Sequence, residues 1–215
     1  FAYNMTLVQG RGNGGLDAKA MEAVERATFA AVVTGEPKGV PLSHRNVLAN
    51  ICQFGSRLQL KYDAKILGCL PLFHSFGCTV TLWYPCIEGV NLVTYPSPLE
   101  TKRLAELIEM HSVNMLLSTP TFLRGYMRRV KPEQLKSIDY VVTGAEKLPK
   151  TLAEAFHDKF GILPLEGYGL TETSPATNLN LPEREPTGDA PVIRSNQIGS
   201  VGKFLPGIAV KITNP

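Results

Sequence analysis

Residues 140–169, YVVTGAEKLPKTLAEAFHDKFGILPLEGYG, decide the fold. Residues 140–143 are a short run of the apolar, β-branched kind that fills a buried strand. Pro149 then stands where a first helical turn accepts it, and a helical pattern occupies 149–160. Residues 162–165 are apolar again. A strand, a helix and a second strand in one short span predict a crossover unit, which joins parallel strands and lays its helix on the sheet.

The alternation extends in both directions. Strands are expected at 29–33, 66–70, 91–95 and 113–117, and helices at 16–26, 43–58, 76–87, 99–110 and 121–130. Strands that read as continuous apolar runs belong to a sheet covered on both faces. The expected class is therefore α/β, with mostly parallel sheets layered with helices. Ser43 with Asn46 reads as an N-cap region. Leu104, Leu107, Ile108 and Met110 form a helical stripe that packs into the core. Residues 181–197, rich in Pro, Gly and charge, read as an exposed loop, and 199–213 as a Gly/Pro-punctuated strand pair. The expected organisation is an unassigned segment over 1–28, an α/β core over 29–198 and the start of a small β region over 199–215. The pattern stops at Asn214-Pro215 within that hairpin, so a piece of a larger protein is expected.

At 215 residues the chain can bury a sizeable core. Its 44% apolar and 19% charged content describes an ordinary globular protein. Net charge is +3, from 22 basic and 19 acidic residues. There is no basic block, so nucleic acid is not an expected partner. Cys52, Cys69, Cys78 and Cys86 form no C-x-x-C pair and have no His at zinc spacing, so free thiols in a reducing cytoplasm are expected. No apolar run approaches the ~18 residues of a membrane span. The N-terminus lacks the basic-then-apolar pattern of a signal peptide.

PLEGYGLTETSP, at 164–175, carries the densest chemistry. Gly167 and Gly169 let backbone approach a ligand closely. Tyr168 can stack on a base, Thr171 can donate to a phosphate, and Glu172 can hold Mg²⁺ beside phosphates. Such a set suits a site that binds ATP and does chemistry at its α-phosphate. The same residues would also serve a polar turn with Thr171 as the N-cap of a helix. TGEPKG, at 34–39, follows an expected strand and precedes a capped helix. Small residues there free N–H groups for phosphate oxygens, and Lys38 adds a positive charge. It is not a Walker A loop, and taken alone it reads as a plain turn.

Taken in order, TGEPKGVPLSHRN, LPLFHSFG (70–77), VVTGAEKLP (141–149), LEGYGLTETSP and GSVGKFLPG (199–207) resemble the adenylate-forming superfamily of acyl-CoA synthetases, luciferases and peptide-synthetase adenylation domains. The resemblance covers residues 29–212. YPSPLE (95–100) and GAEKL look like its bacterial acyl–acyl-carrier-protein synthetase branch, linked to 2-acylglycerophosphoethanolamine acyltransferase. The resemblance implies the large N-terminal domain of an enzyme that activates a fatty acid with ATP and Mg²⁺ and transfers it to the thiol of CoA or of acyl-carrier-protein phosphopantetheine. Thr34, Gly35, Lys38 and Gly39 would belong to its mobile phosphate loop. His74 would stand near the acyl pocket and gate entry. Gly144, Ala145 and Glu146 would border the adenine and the acyl channel. Gly167, Tyr168 and Gly169 would frame the adenine, with Thr171 bonding the α-phosphate and Glu172 ligating Mg²⁺. An indirect membrane association, on the inner face, is a further expectation from the acyltransferase kinship.

Without that family context His74 is equally a core-edge histidine bonded to a backbone carbonyl, and Glu146 an ordinary solvated acid. Three departures stand out. The Ser/Thr/Gly-rich opening of the phosphate loop is missing, since Ala30-Ala31-Val32-Val33 runs straight into Thr34. The expectation is either a shortened loop or residues absent before Thr34, and the abrupt join favours the second. Thr187-Gly188-Asp189 lies too early for the family's ribose-binding acid. The C-terminal lid domain with its catalytic lysine is not part of the sequence, so an isolated piece of this kind is expected to be weakly active or to bind nucleotide without turnover. A competing pattern sits at the N-terminus, where Thr6-Leu7-Val8 precedes a G-x-G-x-x-G within 10–15, and Glu36 follows. That order matches a dinucleotide-binding fingerprint, which Glu36 would share with TGEPKG. None of His44, His74, His111 and His157 has an Asp five positions on, so the H-x-x-x-x-D pair of phospholipid acyltransferases is not present.

Overall fold

The computed structural model describes residues 26–31, 38–181 and 196–211; of 26–31 and of Lys38 it describes the backbone. Strands β1 (Arg26–Ala31) and β2 (Lys38–Ser43) pair antiparallel as a separate two-stranded sheet, with Arg26 opposite Ser43 and Ala31 opposite Lys38. Helix α1 (His44–Leu58) follows directly. Its start is written in the sequence: Ser43 Oγ accepts from the Asn46 N–H at 3.2 Å, and Asn46 Oδ1 accepts from the Ser43 N–H at 3.0 Å. Two orphan donors of the first turn are thus satisfied reciprocally.

Five parallel strands form the body of the main sheet. They are β3 (Lys65–Gly68), β4 (Asn91–Thr94), β5 (Met115–Ser118), β6 (Tyr140–Thr143) and β7 (Leu165–Gly169). Their spatial order is β4-β3-β5-β6-β7. Beyond β7 the sheet turns antiparallel through β8 (Ala176–Leu179) and the short β9 (Lys203–Phe204). A π-helical stretch, Gly77–Trp83, runs into α2 (Tyr84–Glu88). Helices α3 (Thr101–His111), α4 (Pro120–Arg129) and α5 (Lys150–Phe160) are the crossovers between successive parallel strands.

Successive strand residues point to opposite faces, and the two cores follow that rule. Leu67, Leu116 and Val141 pack with Leu104, Leu123 and Phe156 of α3, α4 and α5 on one side. Ile66, Met115, Leu117 and Val142 pack with Ile51, Phe54 and Leu58 of α1 on the other. The continuous apolar strands predicted from sequence therefore have both faces covered, and the α/β class holds.

Local differences have physical causes. Residues 38–43 form a strand where the sequence predicts a turn and a helix cap. Pro41 lacks a ladder donor and demotes a run to an edge strand, yet Val40 and Leu42 alternate inward and are buried. The strand expected at 162–165 lies instead at Leu165–Gly169, so Gly167 to Gly169 belong to β7. The polar strand β8 was not expected at all. The helix expected over 16–26, and the N-terminal glycine pattern, lie outside the described residues apart from Arg26, which begins β1.

All four cysteines are free, Cys52 and Cys86 exposed and Cys69 and Cys78 buried. Burial pushes the Cys69 thiol up to about 12 and raises that of Cys78. The thiolate is the reactive form. In the native state a thiol reagent is therefore expected to titrate Cys52 and Cys86 promptly, with Cys69 and Cys78 reacting only in denaturant. Among the described residues no helix is long and apolar enough to cross a membrane.

Candidate functional site

In chain order the parallel strands run 3, 4, 5, 6, 7, but in space β4 lies outside β3, so the winding reverses between β3 and β5. Open sheets of this kind hold ligands outside the carboxyl ends of their strands at such a reversal. A cavity of about 400 Å³ opens at the carboxyl ends of β6 and β7, with the segment after β3 on its edge. Loops leaving three strand ends build its polar rim. His74 and Ser75 come from the segment after β3, Gly144 and Ala145 from the loop after β6, and Gly167, Tyr168 and Gly169 from the end of β7. Thr171 and Glu172 follow in a 3₁₀ turn, Thr171–Thr173, that also opens on the cavity.

Below the rim the lining changes character. Phe54 and Leu58 of α1, Val80 of the π-helical stretch, Met115 of β5, Val142 of β6 and Leu179 of β8 form an apolar floor. The sequence reading assigned these residues to no site. Their spacing marks them as core, and periodicity cannot say which core residues border an internal space.

His74 lines the same cavity. Its Nδ1 accepts the Phe76 N–H at 3.1 Å, which puts the ring proton of the neutral form on Nε2. The ring is exposed at the mouth, yet enough of it is turned from water that desolvation lowers its pKa below the ordinary imidazole value. At neutral pH it is an uncharged donor. The sign for stability follows. Between the lowered folded value and the ordinary unfolded value the unfolded chain binds more protons, so stability falls as pH drops through that window. A His74→Asn variant is expected to show a flatter stability–pH profile just below pH ~6.5, read by urea denaturation.

The Tyr168 ring is exposed at the rim, a placement that lets it stack on a planar ligand. Glu172 is exposed, and its carboxylate has no hydrogen-bond or ion-pair partner among the described residues. A free carboxylate beside a hydroxyl is the hard-oxygen chemistry that suits Mg²⁺. Ala145 holds φ +65°, a left-handed conformation that a side chain tolerates poorly, as the chain turns sharply after β6.

Glu146 is not brought to the cavity. Its Oε2 accepts from the Thr121 hydroxyl at 2.7 Å, tying the β6 loop to the first turn of α4. Glu166, which no sequence motif marks, is buried, and its Oε1 accepts the Leu148 N–H at 3.0 Å. The loop over 144–149 is thereby pinned at both ends. Thr34 and Gly35 lie outside the described residues. Lys38 and the exposed Gly39 open β2, and β2 lies against the Thr171–Thr173 turn. The backbone of the lysine segment and that of the acidic turn are therefore neighbours.

The AMP-binding enzyme family matches residues 33–215, most of the chain. Long-chain-fatty-acid–CoA ligase of Bacillus subtilis (strain 168) is 33% identical over 161 residues, covering 71% of this chain and 28% of that protein. Luciferin 4-monooxygenase of Photuris pensylvanica is 30% identical over 203 residues, covering 90% of this chain and 34% of that protein. Among solved structures, ATP-bound MatB from Rhodopseudomonas palustris superposes with a TM-score of 0.74 at 24% identity, over 87% of this chain and 35% of that one. The inhibitor-bound N-terminal domain of FACL13 from Mycobacterium tuberculosis gives 0.65 at 26%, over 72% and 39%. The chain thus spans 28% to 39% of the length of these proteins. It belongs to the AMP-binding enzyme family.

Proposed function

We propose that this member of the AMP-binding enzyme family supplies the nucleotide- and acid-binding surfaces of an ATP-dependent acid–thiol ligase that acts on a fatty acid. One observation carries the reading: a rim of glycines, an aromatic, a hydroxyl and a free carboxylate opens directly onto an apolar floor in one cavity. A nucleotide phosphate at the rim and an acyl chain on the floor would bring a carboxylate up to the α-phosphorus. Relatives named as ligases of long-chain fatty acids and of 3-methylmercaptopropionate support the reaction class.

The reaction would run in two steps. A carboxylate oxygen forms a bond to the α-phosphorus of ATP while the bond to the bridging oxygen breaks, and pyrophosphate leaves. A thiol sulfur then attacks the acyl carbonyl, and AMP leaves with the bonding electrons. A carboxylate is a weak nucleophile, so the protein's contribution is alignment and charge neutralisation. Tyr168 would stack on adenine, framed by Gly144, Ala145, Gly167 and Gly169. The Thr171 hydroxyl would donate to an α-phosphate oxygen. Lys38, with Thr34, Gly35 and Gly39, would hold the outer phosphates. His74, with its proton on Nε2, would meet the acid in the same cavity. Glu172 would hold Mg²⁺, which supplies charge neutralisation at the phosphates.

The thiol acceptor is that of CoA or of acyl-carrier-protein phosphopantetheine: relatives named as CoA ligases speak for the first, and the resemblance carried by YPSPLE and GAEKL for the second. A cytoplasmic location with an indirect association to the inner face of a membrane, and residues 29–198 as core with 199–215 opening a β subdomain, complete the proposal.

The test is equilibrium binding to the 215-residue chain. Mg-ATP is expected to bind where NAD does not, and a fatty acid is expected to bind the same chain. Val142→Phe, which fills the floor, is expected to weaken fatty-acid binding at least tenfold and Mg-ATP binding far less, since overpacking costs about 1–3 kcal/mol locally. Equal loss of both ligands, or binding of neither by the parent chain, would refute the shared-cavity reading.

A further inference from the structure

Asn50 is a buried amide in the middle of α1, 3% exposed, on the face that otherwise presents Ile51, Phe54 and Leu58 to the core. Its side chain reaches across 126 positions of sequence to a single residue. Nδ2 donates to the Ala176 carbonyl at 2.7 Å, and Oδ1 accepts the Ala176 N–H at 3.0 Å. Nδ2 also donates to Gln53 Oε1 at 3.2 Å. Ala176 is the first residue of β8, immediately after the segment that carries Thr171 and Glu172. On one side it faces Gly169, where the pairing of β7 and β8 shifts register. On the other side β9 pairs only as far as Asn178, and the Leu205 N–H reaches Thr177. The Asn50 amide presents one donor and one acceptor, as a neighbouring strand would, and takes the place of the strand partner that Ala176 lacks.

The turn itself is tied mainly from within. Thr173 Oγ1 accepts the Leu170 N–H at 2.9 Å and donates to the Pro175 carbonyl. Its position relative to the rest of the site depends on what holds its two ends. One end continues from β7; the other is clamped to α1. The N-terminus of α1 is in turn fixed by the Ser43–Asn46 box to the end of β2, whose backbone lies against the turn.

We propose that Asn50 is a positioning residue: it clamps the exit of the Thr171–Pro175 turn to α1, and so holds Thr171 and Glu172 in register with the β2 segment that begins at Lys38. The proposal rests on the Mg-nucleotide reading of this cavity. In its absence Ala176 loses both partners, and the turn is free to shift relative to β2 while the apolar core stays closed.

The test uses the 215-residue chain, below its melting temperature, with Mg-ATP titration calorimetry and amide hydrogen exchange. Asn50→Ala is expected to weaken Mg-ATP binding about tenfold or more, on the scale of one lost buried hydrogen-bond partner. Exchange is expected to quicken over residues 169–177. Asn180→Ala removes a different buried amide, one that joins Glu166 and Ser200 carbonyls, and controls for general loss of stability. The decisive readout is the double variant with Glu172→Gln. If Asn50 acts through the turn, the double variant binds no worse than the weaker single variant, whereas independent effects multiply. Multiplying losses, unchanged affinity in Asn50→Ala, or an equal loss in Asn180→Ala would overturn the assignment. Should Asn50→Ala fail to fold, Asn50→Asp keeps size and acceptor, removes the donor, and is judged by the same criteria. A parent chain that does not bind Mg-ATP refutes the nucleotide reading and this proposal with it; a parent that binds, with variants that bind equally, refutes this proposal alone.

Discussion

Gly169→Ala is expected to lower the melting temperature of this chain by about 10 °C, because a methyl group at that position has no room. A Cβ built on Gly169 would overlap the Pro175 carbonyl oxygen and stand 2.7 Å from its carbon and 2.9 Å from the Ala176 Cα. These are backbone atoms, so no rotamer change clears the way. Either β7 or the Thr171–Pro175 turn must move. Overpacking of this severity costs about 3 kcal/mol or more, and in a chain of this size each kcal/mol is worth roughly 2–4 °C. Gly144→Ala is the contrasting case. Its Cβ would meet the Phe76 ring at 3.5 Å, an ordinary contact, and a change within about 0.5 kcal/mol is expected. Paired thermal melts decide the point. Equal melting of the two variants would mean that the turn is not seated against β7 as described. The site cannot therefore be understood as loops laid on an independent scaffold. The glycine that ends β7 lets the acidic turn close down on it, and the same closure brings Tyr168, Thr171 and Glu172 to one rim.

Much of this was legible in the sequence, and the parts that were not share a cause. Ile66 and Leu67, Met115 to Leu117, and Val141 with Val142 are runs that only a sheet covered on both faces can bury. The Ser43–Asn46 pair marked the start of α1 to the residue. On the site side, His74, Gly144, Ala145, Gly167, Tyr168, Gly169, Thr171 and Glu172 border one cavity. Residue types pointed to Gly167, Tyr168, Gly169, Thr171 and Glu172, while His74, Gly144 and Ala145 came only from the family resemblance. Strand β8 was invisible because Thr177 and Asn178 carry no apolar signal. The strand is held instead by polar contacts from distant segments, Asn50 to Ala176 and the Asn178 amide to the Gly202 carbonyl at 3.1 Å. Glu146 misled for the opposite reason. Its place beside Gly144 and Ala145 suggested the site, but its carboxylate accepts the Thr121 hydroxyl of α4 and does not line the cavity. The apolar floor stayed hidden because Phe54 and Met115 look the same in sequence whether they meet another side chain or an internal space. Local pattern reports what a residue needs, burial or a polar partner; it does not report which partner across the chain meets that need.

Glu172→Gln separates the chemistry of the site from its architecture. The carboxylate is exposed and unpartnered among the described residues, so exchanging it for an amide removes no contact that holds the fold. Stability is expected to stay within about 0.5 kcal/mol of the parent. Mg²⁺ affinity is another matter. A hard cation prefers a charged oxygen, and a neutral amide oxygen is a much poorer ligand. A loss of roughly 10–100-fold in Mg²⁺-dependent ATP binding is expected, a scale typical of disturbed metal sites, with binding of metal-free ATP little changed. Calorimetric titration with ATP in the presence and absence of Mg²⁺ reads both quantities on one sample. Parent and variant responding alike to Mg²⁺ would remove Glu172 from the metal role, and would leave the rim as a nucleotide surface that relies on the β2 segment alone for its phosphate charge. A fall confined to the Mg²⁺-dependent part would place the cation at the turn beside Thr171. The hydroxyl and the carboxylate would then act on the same phosphate, one as donor and the other through the metal it holds.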